Sequence, residues 1–88
     1  METLQDWIIE LKFTDKIIIV EGKKDKTALS NLGIKNIISI TGPLYKFIES
    51  VQNPEVIILT DLDSEGKKLY STLKHNFQKK GIKIDTKF

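Results

Sequence analysis

The segment from Val56 to Lys68 constrains this chain more than any other. Four apolar residues, three of them β-branched, lead through a threonine into two aspartates one residue apart, Asp61 and Asp63, and a helix-start pattern follows at once. An apolar run that breaks into acids is typical of a buried strand whose carboxyl end lies at the ligand-binding edge of an α/β sheet. The segment Ile17–Gly22 repeats the arrangement, with Glu21 directly after its apolar run.

Strands and helices alternate along the rest of the chain. Apolar runs predict strands at Ile17–Val20, at Ile37–Ile40, from Val56 onward and at Ile82–Ile84. The last of these alternates with a polar residue, so we place it at a sheet edge. Amphipathic spacing predicts helices between the strands and a first helix over about residues 3–12. This order predicts a small doubly wound, three-layer α/β/α fold with a four-stranded, mainly parallel sheet.

Local patterns predict how individual helices begin and what they bury. Ser64 is expected to cap the last helix, and Pro43 is expected at the first position of the helix before it. The helix after the first strand is expected to face inward with three residues, Ala28, Leu29 and Leu32.

The aromatic and imidazole side chains are interpreted as structural. Trp7 lies on the apolar stripe of the first helix, so we favour a core position over a platform for base stacking. His75 has no acidic neighbour at ligand spacing and is expected on a solvated face. Tyr45 and Tyr70 lie on helix faces, which suits packing better than nucleophilic catalysis.

Composition narrows the class of protein. At 88 residues the chain is expected to be a single domain, with its main body at about residues 16–84. The absence of cysteine excludes thiol catalysis and cysteine-based zinc sites. The longest apolar run has four residues and no signal-peptide pattern opens the chain, so we expect a cytoplasmic protein that does not engage a membrane. All 14 basic residues are lysines, so a polyanion would be held by ammonium groups.

The acids suggest a metal site if the first and third strands are neighbours. Glu21, Asp61 and Asp63 would then share one crevice, where their charges repel unless a cation neutralises them. Mg²⁺, with Mn²⁺ as an alternative, prefers oxygen ligands and is commonly held by one or two carboxylates together with substrate phosphate. Glu21 would be either a third ligand or a general acid/base.

The surroundings of these acids favour an anionic ligand. Lysines and small residues lie where two helices begin, and free N–H groups at helix starts attract phosphate. Asp25 or Glu65 alone is as readily explained as a helix cap, whereas acids after two separate buried strands have no such structural reason. The candidate phosphate-binding and loop residues are Lys23, Lys24, Lys67, Lys68, Gly22, Ser64 and Gly66.

In these two motifs the sequence resembles the Toprim domain. That domain is shared by bacterial primases, topoisomerases, OLD-type nucleases, recombination-repair proteins and the ribonuclease that matures the smallest ribosomal RNA. Its pattern is an apolar strand ending in Glu-Gly and a later strand ending in Asp-x-Asp, found here at Ile18–Leu29 and Ile57–Lys68. The resemblance extends from about residue 16 to residue 84.

The resemblance implies roles for individual residues. Glu21 would act as the general acid/base, and Asp61 with Asp63 would coordinate Mg²⁺. Asp25 matches a position that is often acidic in the family and is a secondary candidate. The implied activity is nuclease-like or primase-like phosphoryl transfer on RNA or DNA.

Several absences shape the functional hypothesis. No zinc-binding segment or tyrosine-bearing domain is present, so the chain is neither a whole primase nor a topoisomerase. Its local sequence is most similar to the N-terminal part of the ribosomal RNA maturase, whose additional RNA-binding portion is missing here. A protein partner is therefore a candidate source of affinity for the substrate. The alternative is a non-catalytic module that binds Mg²⁺, phosphate or nucleic acid within a larger complex. Haloacid-dehalogenase-type phosphatases and receiver domains carry their acid pair after the first strand, not the third.

Overall fold

The computed structural model describes residues 3–60 and 63–86. Its helices are α1 (Leu4–Phe13), α2 (Lys23–Asn31), α3 (Leu44–Ser50) and α4 (Ser64–Lys79), and its strands are β1 (Ile17–Val20), β2 (Ile37–Ser39), β3 (Glu55–Leu59) and β4 (Lys83–Ile84). The predicted alternation of strands and helices is confirmed. In the described part of the chain, none of these helices has the length and apolar character needed to cross a membrane.

The four strands form one parallel sheet in the order β2-β1-β3-β4. β1 and β3 are central neighbours, with Ile17 opposite Val56 and Val20 opposite Leu59. The short strand β4 lies at one edge, as its alternating pattern predicts. The chain steps from β1 to β2 in one direction and then back to β3 and β4 in the other, so the point at which the order reverses lies between β1 and β3.

Both faces of the sheet are covered, which explains why β1 and the Val56–Leu59 part of β3 are apolar without interruption. On one face, Ile19 and Ile58 pack against α3 and α4. The buried side chains of these helices include Phe47 and Leu73. On the other face, the strand residues pack with α1 and α2, and this second cluster contains Leu11, Ile18, Val20, Ile34, Ile37 and Ile57. The predicted three-layer α/β/α fold is therefore confirmed.

Two predicted helix starts are wrong by one residue. Asp63, not Ser64, caps α4, and Pro43 precedes α3 as its cap residue instead of opening the helix. Asp and Ser have nearly equal capping preference, so the backbone decides between them, and Asp63 is the residue with extended geometry (φ −70°, ψ 175°). Pro43 is likewise extended, with φ −61° and ψ 136°.

The predicted inward face of α2 is also wrong in part. Leu29 packs against the core, but Ala28 is exposed and Leu32 is 46% exposed. Gly33 adopts a left-handed φ of 85° directly after the helix, which turns the chain so that Ile34 enters the core in place of Leu32.

An ionic cluster lies at the amino ends of the central strands. Lys16 precedes β1, and its Nζ lies 2.7 Å from Asp85 Oδ2 and 3.0 Å from Glu55 Oε2. Hydrogen bonds to Asp85 and then to Glu55 raise the pKa of Lys16 above its ordinary value. Lys16 thereby links the start of β1 and β3 to the edge strand β4.

Candidate metal and nucleic-acid site

The carboxyl ends of β1 and β3 form the edge at which the predicted site residues converge. Val20 and Leu59 are register partners, so Glu21 and Thr60, the next residues in each chain segment, both emerge at this edge. Helices α2 and α4 begin within a few residues of the same two strand ends. Two strand-to-helix loops and two helix N-termini therefore meet at one edge of the sheet, an environment that favours anions.

The loop after β1 is short and closes directly into α2. Glu21 is half-buried, and Gly22 is the cap residue of the helix with an extended backbone. The Gly22 N–H donates to Asp25 Oδ2 at 3.2 Å. Asp25 therefore has a structural role as the carboxylate that closes the first turn of α2, in line with the alternative interpretation of a single acid at a helix start.

The loop after β3 is fixed at both ends to the same residue. The Gly66 N–H donates to Asp63 Oδ1 at 2.7 Å, and the Thr60 hydroxyl donates to the Gly66 carbonyl at 3.1 Å. Gly66 is buried in the first turn of α4. Asp61 and Leu62, which complete this loop, lie outside the described residues.

Sequence reasoning missed the role of Thr60 and the capping role of Asp63. In the sequence pattern Thr60 is only the last residue before the aspartates, whereas in the structure its hydroxyl anchors the loop through Gly66. The available signal is a hydroxyl residue at the strand end, six positions before a glycine in the first helical turn. Ser64, predicted as the cap, is instead the first residue of α4.

The carboxylates at this edge have the oxygen chemistry that Mg²⁺ prefers. Asp63 uses Oδ1 to cap α4, and an ionised carboxylate retains further acceptor positions after one such hydrogen bond. Within residues 3–60 and 63–86, no three histidine, aspartate or glutamate side chains come together as a group that could hold a metal ion. Asp61 is beyond that set, so the trio of Glu21, Asp61 and Asp63 stays a prediction.

Four exposed lysines surround the edge. Lys23 and Lys24 lie in the first turn of α2, and Lys67 and Lys68 lie close to the start of α4. Their ammonium groups reach solvent, where they can contact phosphates as point charges. Acids close to the strand ends and lysines close to the helix starts are therefore found at the same edge of the sheet.

Comparison with known proteins identifies the family. The model of the Toprim domain matches residues 15–86, which include both acidic loops. The chain belongs to the Toprim domain family. The predicted family is confirmed. Toprim domains are in general associated with Mg²⁺ binding and nucleic-acid chemistry.

Relatives of this Toprim domain are found in archaea and bacteria. A UPF0292 protein of Methanocaldococcus jannaschii is 39% identical over 93 residues, covering 98% of this chain and 73% of the relative. A UPF0292 protein of Pyrococcus abyssi is 39% identical over 82 residues, covering 90% of this chain and 62% of the relative. The solved structure of a putative protein from Aquifex aeolicus superposes with a TM-score of 0.87 at 36% identity, covering 97% of this chain and 83% of that one.

Proposed function

We propose that this Toprim domain is a Mg²⁺-dependent phosphoryl-transfer module that cleaves RNA or DNA. In this proposal Glu21 is the general acid/base, and Asp61 and Asp63 hold the metal. The observation that carries the proposal is the parallel pairing of β1 with β3, which brings the two acid-bearing loops to one edge of the sheet. Family membership gives that edge its chemical context.

Each part of the edge contributes a different physical effect. Bound Mg²⁺ would supply positive charge opposite the phosphate oxygens on which negative charge develops. The half-buried Glu21 would accept or deliver the proton at the attacking or leaving oxygen. The lysines of α2 and α4 would bind flanking phosphates, and the hydrogen bonds around Gly66 would hold Asp63 in place before substrate arrives.

The test is cleavage of single-stranded RNA and DNA with and without Mg²⁺. Glu21→Gln and Asp61→Asn are each expected to lower the rate about 100-fold or more, because each removes a group that acts in the reaction. Matched controls exchange the same functional groups at exposed positions away from the edge, Glu49→Gln on α3 and Asp15→Asn before β1, and should leave the rate unchanged.

Two outcomes would contradict the proposal. Activity that survives both site variants would mean that the acids do not perform the chemistry. Mg²⁺-dependent binding of nucleic acid without turnover would favour a non-catalytic binding module that acts within a larger complex.

A further inference from the structure

A small cleft opens beside the acidic edge, on the face of the sheet covered by α1 and α2. We call it the Trp7 cleft, and it has a volume of about 240 Å³. Its lining includes Trp7 from α1, Asp25, Ala28 and Leu29 from α2, and the strand-end residues Val20 and Leu59.

Two residues that line the Trp7 cleft are immediate sequence neighbours of the two acid-bearing loops. Val20 is the residue directly before Glu21, and Leu59 directly precedes Thr60, which also lines the cleft. A group held in the cleft is therefore next to both acid-bearing loops. The apolar floor and Asp25 at the same surface disfavour a phosphate there and suit an uncharged ring with N–H donors.

Trp7, for which the sequence favours a core position, packs against the core but also lines the cleft. It is half-buried against the second core cluster, one helical turn from the fully buried Leu11. The first turn of α1 is closed by reciprocal hydrogen bonds between Thr3 and Asp6, each 3.1 Å long. An aromatic side chain that already packs against the core, on a helix whose start is capped, loses little conformational entropy when a flat ligand stacks on it.

The size of the cleft limits what can enter. Pockets for drug-sized molecules begin at about 300 Å³, so a cleft below that value suits a single ring system better than a whole nucleotide. We infer that the Trp7 cleft takes one unpaired nucleobase of a single-stranded nucleic acid whose adjoining phosphate lies at the Glu21–Asp63 edge. The inference rests on the proposed function and adds to it a subsite for a base.

The inference is tested by comparing two eight-nucleotide single strands with the same number of phosphates, one of adenine nucleotides and one fully abasic. Binding is measured in Mg²⁺ in the Glu21→Gln background, so that the strands stay intact. We expect the adenine strand to bind about tenfold more tightly, because stacking of one base on an aromatic side chain contributes an effect of that order. Trp7 is the only tryptophan, so its fluorescence should be quenched by the adenine strand alone.

Variants separate recognition by the ring from simple packing. Trp7→Phe keeps an aromatic face and should retain most of the preference, whereas Trp7→Leu keeps an apolar side chain and should lower the preference to near unity. Phe13→Leu is the control, because Phe13 is on the same helix but is 84% exposed and does not line the cleft. Thermal melts establish that each variant is folded before binding is compared.

Failure of the base subsite and failure of the proposed function give different results. Equal Mg²⁺-dependent affinity for the two strands, or a preference that persists in Trp7→Leu, would overturn the subsite while cleavage by the wild-type domain continued to support the proposed function. Absence of Mg²⁺-dependent binding to either strand, together with absence of cleavage, would overturn both.

Discussion

At the scale of single residues, Asp63 carries two roles that can be separated. Its Oδ1 caps α4 through the Gly66 N–H, and its carboxylate is proposed to hold Mg²⁺. Asp63→Asn keeps an oxygen that can accept the capping hydrogen bond, so the free energy of unfolding should change by less than about 0.5 kcal/mol. Mg²⁺ affinity should nevertheless fall by about tenfold or more, because the charged ligand is lost.

The matched variant Asp63→Ala removes both roles. It should lower the free energy of unfolding by about 1 kcal/mol in addition to weakening Mg²⁺ binding. Denaturant unfolding and Mg²⁺ titration followed by NMR measure the two effects independently. If Asp63→Asn bound Mg²⁺ as tightly as the wild type, Asp63 would be a cap and not a ligand.

The residue scale is also where the sequence was least informative. The pattern identified the acids at the two strand ends, because an apolar run followed by a carboxylate is visible without coordinates. It could not show that Asp63, and not Ser64, caps α4, since both residue types cap well and only the backbone geometry distinguishes them. The role of Thr60 depends on a contact with Gly66 that closes only in the folded loop.

At the scale of secondary-structure elements, the short edge strand β4 is joined to the start of β1 and β3 by the ionic cluster of Lys16. Lys16→Met keeps the length of the side chain but removes its ammonium group, so we expect the free energy of unfolding to fall by about 1 kcal/mol. Amide hydrogens of β4 should exchange faster, as measured by NMR. Cleavage at the opposite edge of the sheet should be unaffected, and a large loss of activity would contradict this separation.

The pH dependence of this cluster has a definite sign. The pKa of Lys16 is raised in the folded state above its reference value of 10.5, so its contribution is fully present below that pH and is lost as pH rises through the folded pKa. The stability difference between wild type and Lys16→Met should therefore be constant from neutral pH to about pH 10 and shrink above it. A difference that was already lost near neutral pH would assign the effect to another group.

The strands and helices were the part of the structure that could best be predicted from the sequence. The four strands and four helices follow from apolar periodicity, and only their bounds shift by about a residue. The failure at α2 has a physical cause, because Ala28 borders the Trp7 cleft and Gly33 redirects the chain before Leu32 can be buried. Neither the cleft nor the position of Trp7 beside it follows from helical spacing, which describes one helix at a time.

At the scale of the whole molecule, the net charge is only +2, but lysines are concentrated near the proposed site. If the four lysines near the starts of α2 and α4 each neutralise one phosphate, log K for a single strand should fall with log salt with a slope of about −3. Replacing Lys23 and Lys24 together by glutamine should reduce that slope by about 1.4. Replacing Lys74 and Lys83 in the same way, away from the edge, is the control.

This measurement discriminates between local and diffuse electrostatics. A slope that is equally reduced by the control pair would indicate that net charge alone governs binding. Fluorescence titration of one labelled strand over a range of salt concentrations provides the data. The expected slopes are the same for RNA and DNA single strands, so the test does not depend on which polymer is the substrate.

The central pairing of β1 with β3 also bears on how the protein is made. Ile17 cannot meet Val56 until more than half of the chain has been synthesised, although β2, the other neighbour of β1, emerges from the ribosome earlier. A growing polypeptide can thus assemble β1 and β2 while Glu21 is still without the loop that follows β3. The two acidic loops become a single site only when translation has passed the second of them, so a shorter nascent chain carries Glu21 without the two aspartates that complete the proposed site.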